Sequence, residues 1–301
     1  MTDSKKVLVS VIVPTYNRGK IINRAIDSIK AQTLKDWECI IVDDHSDDET
    51  KSIVAGLIND DKRFLYLINE RKKGAPGARN TGVLKAKGKY IVLFDSDNVM
   101  HPTFLEKVYN SIVNNNVDGG ACFSRIIDEV SGKTIGTFKW VGNGNVYKDV
   151  LREKTYFDNS STIISREKLI DIGLLDENCP SYQEWDTHIR LSRHCTYITI
   201  KEELIDYYRG GSDTISKSKI RAIKGRLFIY RKFRDEFKKN VPFIYLKNSF
   251  GIFCEINSLD EVYFNEKQLF LKEFLQEQSE TEIIIIRLLY WLRSIKKKIM
   301  K

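Results

Sequence analysis

The chain has 301 residues, of which 42% are hydrophobic and 30% are charged, and its formal net charge is +8. The hydrophobic content is too high for a disordered chain, and no segment approaches the roughly 20 apolar residues that cross a bilayer. Residues 282–301 carry +5 of the net charge, from six basic residues and one glutamate. The rest of the chain is therefore nearly neutral, and we expect no nucleic-acid partner.

Four apolar segments in roughly the first third of the chain have the character of β-strands, and segments with helical spacing separate them. The predicted strands are Val7–Val13, Cys39–Val42, Phe64–Ile68 and Tyr90–Phe94. The glycine-rich segment 74–82 is predicted to be a loop that opens the third helix. Strands alternating with helices predict an α/β fold, with a mainly parallel sheet and helices on both faces. Ligands bind such sheets at the carboxyl ends of the strands.

The cysteines and the first residues indicate a cytoplasmic protein. The five cysteines are scattered, and no two have the C-x-x-C spacing of a zinc or redox site. The first residues lack the long apolar segment of a secretory signal. We therefore expect neither a disulfide framework nor secretion.

Two aspartates, Asp95 and Asp97, follow the fourth predicted strand. Residues i and i+2 of an extended chain point to the same side, so their carboxylates would lie together and repel unless a cation separates them. Mg²⁺ or Mn²⁺ takes one or two carboxylates and completes its shell with water and phosphates. The pattern predicts a divalent metal site, with an exposed acidic turn as the alternative.

Two further segments are candidates for nucleotide contacts. Asp44 ends the second strand, where its carboxylate can accept hydrogen bonds from a base or ribose, or cap the next helix. Arg79 follows the glycines of segment 74–80 and is a candidate for a pyrophosphate, since a helix start favours anions. This segment lacks the P-loop pattern, and the first strand lacks a following G-x-G-x-x-G, which argues against a dinucleotide oxidoreductase.

Taken together, these segments resemble the family-2 inverting glycosyltransferases with the GT-A fold, of the type that builds bacterial surface glycans. The residues that carry the resemblance are Val9–Arg18, Gln32–Thr33, Ile41–Asp48, Gly77–Gly82 and Gly88–Asn98. The resemblance thins towards residue 215 and is absent beyond it. It implies transfer of a sugar from a nucleotide diphosphate, with UDP expected, to a carbohydrate or lipid-linked acceptor, and Mn²⁺ or Mg²⁺ as the cofactor.

The resemblance also assigns roles to single residues. The expected nucleotide-sugar site comprises Pro14, Thr15, Asn17, Asp44, Arg79, Asp95 and Ser96. Asp44 matches the acid that reads the base, and Arg79 matches the phosphate-loop arginine. Asp97, together with Asp95, matches the metal ligands. Asn98 stands where many relatives have another aspartate, a departure that leaves the outer two acids in place.

Inverting transfer needs a carboxylate that deprotonates the acceptor hydroxyl. In the resembled family this acid begins a helix, and an arginine follows six residues later. Glu184 and Arg190 match that spacing, although the usual acid pair is Gln183-Glu184 here. Asp186 is the second candidate for the base. For both acids the alternative is a simple charge at a helix N-terminus.

The predicted domains follow these changes of pattern. They are a GT-A catalytic domain at 1–215, with a nucleotide-binding half at 1–98 and an acceptor half at 99–215, and a helical C-terminal region at 216–301. In the tail, apolar and basic residues separate onto two sides of a predicted helix. The apolar side is Leu288, Leu292, Ile295 and Ile299, and the polar side is Arg287, Ser294, Lys297, Lys298 and Lys301. Such a helix can lie on an anionic membrane, at the inner face of the cell membrane, or pack on the body.

Two other functions remain open at this point. A sugar nucleotidyltransferase also uses an α/β sheet and acidic metal ligands, but the glycine-rich signature expected within Val11–Lys20 is missing. A non-catalytic, membrane-docked scaffold of the same fold is disfavoured by the intact acidic pair and by Glu184.

Overall fold

The computed structural model describes residues 6–155, 157–210 and 218–299, with side chains to Arg293. Two compact units divide the chain, one formed by Met1–Glu177 with Gln183–Thr214 and the other by Asn178–Tyr182 with Ile215–Lys301. The predicted domain boundary falls at residues 211–217, which are outside the described residues. The inclusion of Asn178–Tyr182 in the second unit has no counterpart in the predicted domains.

The described residues of the first unit form a sheet and seven α-helices. Its strands are β1 (Val9–Thr15), β2 (Trp37–Asp43), β3 (Phe64–Ile68), β4 (Tyr90–Leu93), β5 (Val99–Met100), β6 (Gly119–Asp128), β7 (Thr134–Phe138), β8 (Thr162–Ser165) and β9 (Tyr197–Arg209). Its described helices are α1 (Ile22–Lys30), α2 (Thr50–Ile58), α3 (Ala75–Lys85), α4 (Phe104–Asn115), α5 (Tyr147–Leu151), α6 (Arg166–Asp171) and α7 (Gln183–Ser192).

The strands form one mixed sheet in the order β3-β2-β1-β4-β8-β6-β9-β5, with β7 paired to β6. The first four strands are parallel, as predicted. β8 is antiparallel to both of its neighbours, β4 and β6, so the sheet is parallel only in part. The α/β fold class is confirmed. Because β8 runs antiparallel to β4, the amino end of β8 lies beside the carboxyl end of β4, at the same edge of the sheet.

Helices cover both faces of the parallel part because β1 is apolar on both sides. Val9, Val11 and Val13 lie in a buried cluster with the apolar residues of α1. Ile12 points to the opposite face, where α3 packs. A Cβ atom at Gly82 would lie 2.3 Å from Ile12 Cγ2, so only glycine lets α3 approach the sheet this closely. The strand ends between these two layers form the edge described below.

The second unit is helical. It contains α8 (Lys219–Lys232), α9 (Arg234–Asn240), α10 (Pro242–Asn257), a 3-10 turn (Glu261–Tyr263), α11 (Phe264–Gln276) and α12 (Glu280–Ile299). In α12, Ile286 is buried, and the Tyr290 ring meets the Phe253 ring edge-on with 5.3 Å between centroids. Among the described residues, no helix combines the length and hydropathy needed to cross a bilayer.

Candidate active site

The segment after β4 forms a tight turn, which we call the acidic turn, over Asp95–Asn98. The Asn98 amide donates to the Asp95 carbonyl over 3.2 Å. The prediction that an extended chain aligns Asp95 and Asp97 is therefore wrong, because the chain turns back here to enter β5. Ser96 is buried within the same turn.

The two carboxylates of the acidic turn nevertheless influence each other. Asp95 accepts from Arg79 Nη2 at 2.6 Å. The pKa of Asp97 is raised above its usual range, by burial first and by the negative charge of Asp95 second. Asp97 is thus a half-buried carboxylate beside a second acid, an arrangement that a bound cation would stabilise.

Arg79 lies on α3 and not in a loop, so the prediction of a glycine-rich loop at 74–82 is wrong. Pro76 occupies the first turn of α3, where no helical hydrogen bond is lost. Arg79 is 4% exposed, and besides Asp95 its guanidinium donates to Gln183 Oε1 over 3.2 Å. Burial opposes its charge, but Asp95 and the other nearby carboxylates outweigh burial and raise the pKa of Arg79. Arg79 therefore ties α3 to the acidic turn and to the start of α7.

The ends of β1 and β2 meet at the same edge. The Asp44 amide donates to the Thr15 carbonyl over 2.8 Å. The Asp44 carboxylate accepts a hydrogen bond from the side-chain amide of Asn69 at 2.6 Å and another from the backbone amide of Gly74 at 2.7 Å. These two bonds fix the connection into α3. The Thr15 hydroxyl is buried and finds no hydrogen-bond partner among the described residues. Such an unsatisfied group indicates a place for a ligand.

Pro14 and Asn17 also lie at this edge, and the two residues make different contacts there. Pro14 pairs with Val42 inside the β1–β2 ladder. Asn17 adopts a left-handed conformation at φ 53°, and its Oδ1 accepts from the Asp47 amide at 3.0 Å. Both residues shape the turn after β1, and their expected contact with a nucleotide stays a prediction.

The two candidate bases differ in their environments. Glu184 is partly exposed in the first turn of α7, and its Oε1 accepts from Asn159 Nδ2 at 3.0 Å. Asp186 is fully buried and accepts from Arg190 Nη2 at 2.6 Å. Arg190 also donates to the carbonyls of the segment before α7, so the Asp186–Arg190 pair stabilises local packing. Of the two, Glu184 is the one whose residue is accessible to solvent.

The segment before β8 completes the site and was missed by sequence reasoning. Ser160 Oγ accepts from the Asp95 amide at 3.1 Å and from Asn98 Nδ2 at 2.9 Å. Asp158 is buried, which raises its pKa to about 8, and the charges of Asp95 and Glu184 add to this increase. The run of polar residues before Ile163 was the available signal. In an all-parallel sheet that run would lie at the opposite edge, and only the antiparallel direction of β8 brings it to the site.

The acidic turn fits a divalent cation. The described residues contain no group of three or more His, Cys, Asp or Glu side chains arranged to hold a metal. A donor set of one or two carboxylates nevertheless suits Mg²⁺ or Mn²⁺ when substrate phosphates supply the other ligands. The two neighbouring carboxylates favour this use, because a cation beside them would offset the burial and the repulsion from Asp95 that raise the pKa of Asp97.

Comparison with known proteins agrees with this fold. Residues 10–173 match the model of Glycosyl transferase family 2, and that segment is more than half of the chain. The chain therefore belongs to glycosyl transferase family 2.

The chain is 31% identical over 256 residues to an uncharacterized glycosyltransferase of Methanocaldococcus jannaschii, covering 79% of this chain and 82% of that protein. It is 40% identical over 110 residues to the Escherichia coli enzyme WfgD, a UDP-Glc:alpha-D-GlcNAc-diphosphoundecaprenol beta-1,3-glucosyltransferase. That match covers 36% of this chain and 43% of the enzyme.

Solved structures share the fold at low sequence identity. S. aureus TarS (residues 1–349), in complex with UDP-GlcNAc, superposes with a TM-score of 0.66 at 16% identity, covering 92% of this chain and 83% of that one. The mannosyltransferase PcManGT of Pyrobaculum calidifontis, in complex with GDP-Man and Mn²⁺, gives a TM-score of 0.60 at 18% identity, with coverages of 96% and 81%. The chain thus has the GT-A fold of these glycosyltransferases.

Proposed function

We propose that this protein transfers a sugar from a nucleotide diphosphate, with UDP as the expected nucleotide, to a carbohydrate or lipid-linked acceptor, with inversion at the anomeric carbon. The observation that carries the proposal is the meeting, at one sheet edge, of the acidic turn, Arg79 and Glu184. Two neighbouring acids next to a fixed arginine suit a diphosphate with its cation, and a separate carboxylate suits an acceptor hydroxyl.

On the donor side, Asp97 and Asp95 would hold Mn²⁺ or Mg²⁺. The ion, when bound, supplies positive charge that stabilises the departing diphosphate. Arg79 keeps Asp95 in place and supplies a fixed positive charge at the same edge. Thr15 and Asp44 lie at the ends of β1 and β2, where a base and ribose would be read, and Pro14, Asn17 and Ser96 complete the proposed donor site.

On the acceptor side, Glu184 takes the proton of the acceptor hydroxyl. The oxygen then forms a bond to the anomeric carbon while the bond from that carbon to the diphosphate oxygen breaks, and the electron pair leaves with the diphosphate. Attack from the face opposite the leaving group inverts the configuration, and no covalent enzyme intermediate forms. Asn159 donates to Glu184 and so orients the carboxylate without removing its capacity to accept a proton.

Similar proteins support this proposal over the two alternatives. WfgD is named as a glucosyltransferase that uses UDP-Glc and a lipid-diphosphate acceptor, and TarS binds UDP-GlcNAc. PcManGT binds GDP-Man together with Mn²⁺, so a guanine nucleotide is the main competitor for the donor. Neither a nucleotidyltransferase nor a scaffold accounts for the partly exposed Glu184 beside the acidic turn.

A melting-temperature panel tests the donor class. We expect UDP-sugars with Mn²⁺ to raise the melting temperature, since ligands that bind only the native state stabilise it by about 2.7 kcal/mol at roughly a hundred times Kd. EDTA should remove the effect. If GDP-mannose raises the melting temperature and UDP-sugars do not, the choice of UDP is overturned. If none of the nucleotide sugars raises it, the proposed function is overturned.

We further propose that α12 lies on an anionic membrane surface. Its exposed apolar residues include Ile284 at 66%, Leu288 at 53% and Trp291 at 56% exposure, while Ile286 packs inward. Ile295, Ile299 and the lysines beyond Arg293 belong to the predicted amphipathic pattern, but their side chains are outside the described part of the chain. The charge of +5 in residues 282–301 favours acidic lipid headgroups and opposes close pairing with a second copy of the same helix.

Vesicle flotation tests this placement. The wild type should float with vesicles containing phosphatidylglycerol, and less with phosphatidylcholine alone or at high salt. The double substitution Leu288→Ser and Trp291→Ser should lose this binding, because each exposed apolar side chain contributes about 1.5–3 kcal/mol when buried. Val262→Ser is the matched control, since Val262 is 88% exposed but lies outside α12. Equal flotation of the double variant and the wild type would refute the proposal.

A further inference from the structure

The residues just before α7, Asn178–Tyr182, which we call the entry segment, belong to the second unit. Within that unit they are attached to α8. Arg221 Nε donates to the Pro180 carbonyl over 2.9 Å. The Arg226 guanidinium carbon lies 5.9 Å from the centroid of the Tyr182 ring, within the range of a cation–π contact. Two side chains of α8 therefore hold the entry segment.

Gly225 lets α8 and the entry segment pack directly on each other. It lies inside α8, where glycine is less favourable than alanine because it gives the unfolded chain more freedom. A Cβ atom at this position would lie 2.6 Å from Ser181 Cβ, and 2.9 Å from both the Ser181 carbonyl oxygen and Tyr182 Cδ2. Contacts this short require a displacement of one partner.

The entry segment is the partner that would move. On the other side of α8, Ile229 is fully buried, and the Tyr230 ring stacks on the Phe237 ring with 4.7 Å between centroids. Ser181 and Tyr182 are only partly buried. A larger side chain at the position of Gly225 would therefore displace the entry segment more readily than α8.

Tyr182 joins the entry segment to the start of α7. Its backbone is left-handed at φ 59°, a conformation that a residue other than glycine keeps only where its surroundings hold it. The next residue, Gln183, begins α7, and Glu184 follows. In the first unit, Gln183 Oε1 accepts from Arg79 over 3.2 Å and Glu184 Oε1 accepts from Asn159 Nδ2 over 3.0 Å. The link between the contacts of α8 and Glu184 is thus the peptide chain itself.

We propose that Gly225 is a positioning residue for the base, because it lets α8 hold the entry segment and so sets where the Glu184 carboxylate stands. The inference rests on the proposed function, in which Glu184 takes the proton of the acceptor hydroxyl. A base must come within about 2.6–3.2 Å of the group that gives up the proton, and an error of about 1 Å can lower a rate about a hundredfold. The second unit thus contributes to the reaction through the start of α7.

Fluorine NMR of the Gly225→Ala variant tests the structural step without any substrate. Labelling with 5-fluorotryptophan places a probe at Trp185, which directly follows Glu184, and Trp185→Phe assigns its resonance. We expect Gly225→Ala to move the Trp185 resonance and to leave that of Trp37 in β2 unchanged. Gly251→Ala is the matched control, because Gly251 lies inside α10 and a Cβ atom there would meet no described atom of another segment within 4 Å. A Trp185 resonance that moves in neither variant, or equally in both, would overturn the inference.

Release of UDP from UDP-glucose or UDP-N-acetylglucosamine in Mn²⁺ tests the catalytic step, since it detects transfer to water as well as to a sugar. We expect Gly225→Ala to lower kcat about ten- to a hundredfold with the affinity for UDP unchanged, and Gly251→Ala to change neither. In a Glu184→Gln background, Gly225→Ala should have little further effect, because a base that is absent cannot also be misplaced. An equal loss in both backgrounds, or a normal kcat in Gly225→Ala, would overturn the inference.

Arg221→Met is a second variant that keeps the test valid if Gly225→Ala does not fold. It removes the hydrogen bond to Pro180 from an exposed position of α8, so it should move the Trp185 resonance and lower kcat, both by less. Lys224→Met, at another exposed position of α8, is its control. If the wild type neither binds nor turns over nucleotide sugars, the proposed function fails. If it binds them without turnover, the Trp185 resonance alone decides. If it does both and the variants match it, only the positioning role fails.

Discussion

Replacing Glu184 by glutamine is expected to lower the rate of sugar transfer by about 10³-fold, while binding of UDP stays nearly unchanged. Glutamine has the same shape as glutamate and can still accept from Asn159, but it cannot take a proton from the acceptor hydroxyl. The loss should therefore appear in kcat and not in nucleotide affinity. Initial rates at saturating donor, together with calorimetric titration of UDP in Mn²⁺, measure the two quantities.

Two further variants make this result specific. Glu167→Gln changes an exposed acid in the first turn of α6 and should leave the rate unchanged. Asp186→Ala should act on stability, because leaving Arg190 without its buried partner costs about 3–5 kcal/mol. Normal turnover by Glu184→Gln would refute its role as the base. A stable but inactive Asp186→Asn variant would transfer that role to Asp186.

Replacing Asp97 by asparagine is expected to abolish metal-dependent binding of UDP and, with it, sugar transfer. The substitution removes the carboxylate proposed to hold the cation and keeps the size of the side chain. It should not destabilise the fold, because it also removes the repulsion that raises the pKa of Asp97 beside Asp95. Calorimetric titration of UDP with Mn²⁺ or with EDTA measures the effect.

The control for the Asp97 variant is Asp60→Asn, an exposed aspartate in the turn after α2. It should bind UDP as the wild type does and should retain the Mn²⁺ dependence. A melting temperature of the Asp97→Asn protein at or above that of the wild type excludes unfolding as the cause of lost binding. Wild-type affinity in Asp97→Asn would place the cation on other residues.

The parallel half of the fold could be predicted because its signals are local. Each of β1 to β4 is a short apolar run, and alternation with helices is enough to order them in a sheet. β9 was not predicted, since its pairing with β6 and β5 joins segments far apart in the chain and its residues have mixed polarity. β8 has a short apolar core, but its antiparallel direction depends on its neighbours and not on its own residues.

In the site, too, residues marked by the local sequence could be predicted, whereas residues that depend on distant strand pairing could not. Asp95 and Asp97 follow a clear strand end, and Glu184 was assigned from its spacing to Arg190 in the resembled family; their roles are proposals. The glycines of segment 74–82 suggested a loop, whereas Gly77 and Gly82 serve close packing inside α3. A Cβ atom at Gly77 would lie 1.9 Å from the Lys72 carbonyl oxygen. Ser160 and Asp158 reach the site only because β8 is reversed, and no motif marks them.

A crystal structure of the wild type soaked with UDP and Mn²⁺ tests the central claim most directly. We predict that the ion is found at the Asp97 carboxylate, next to the diphosphate. The base should lie beside Asp44 at the ends of β1 and β2. Nucleotide and ion bound at another part of the protein, with the acidic turn in contact with solvent alone, would contradict the account.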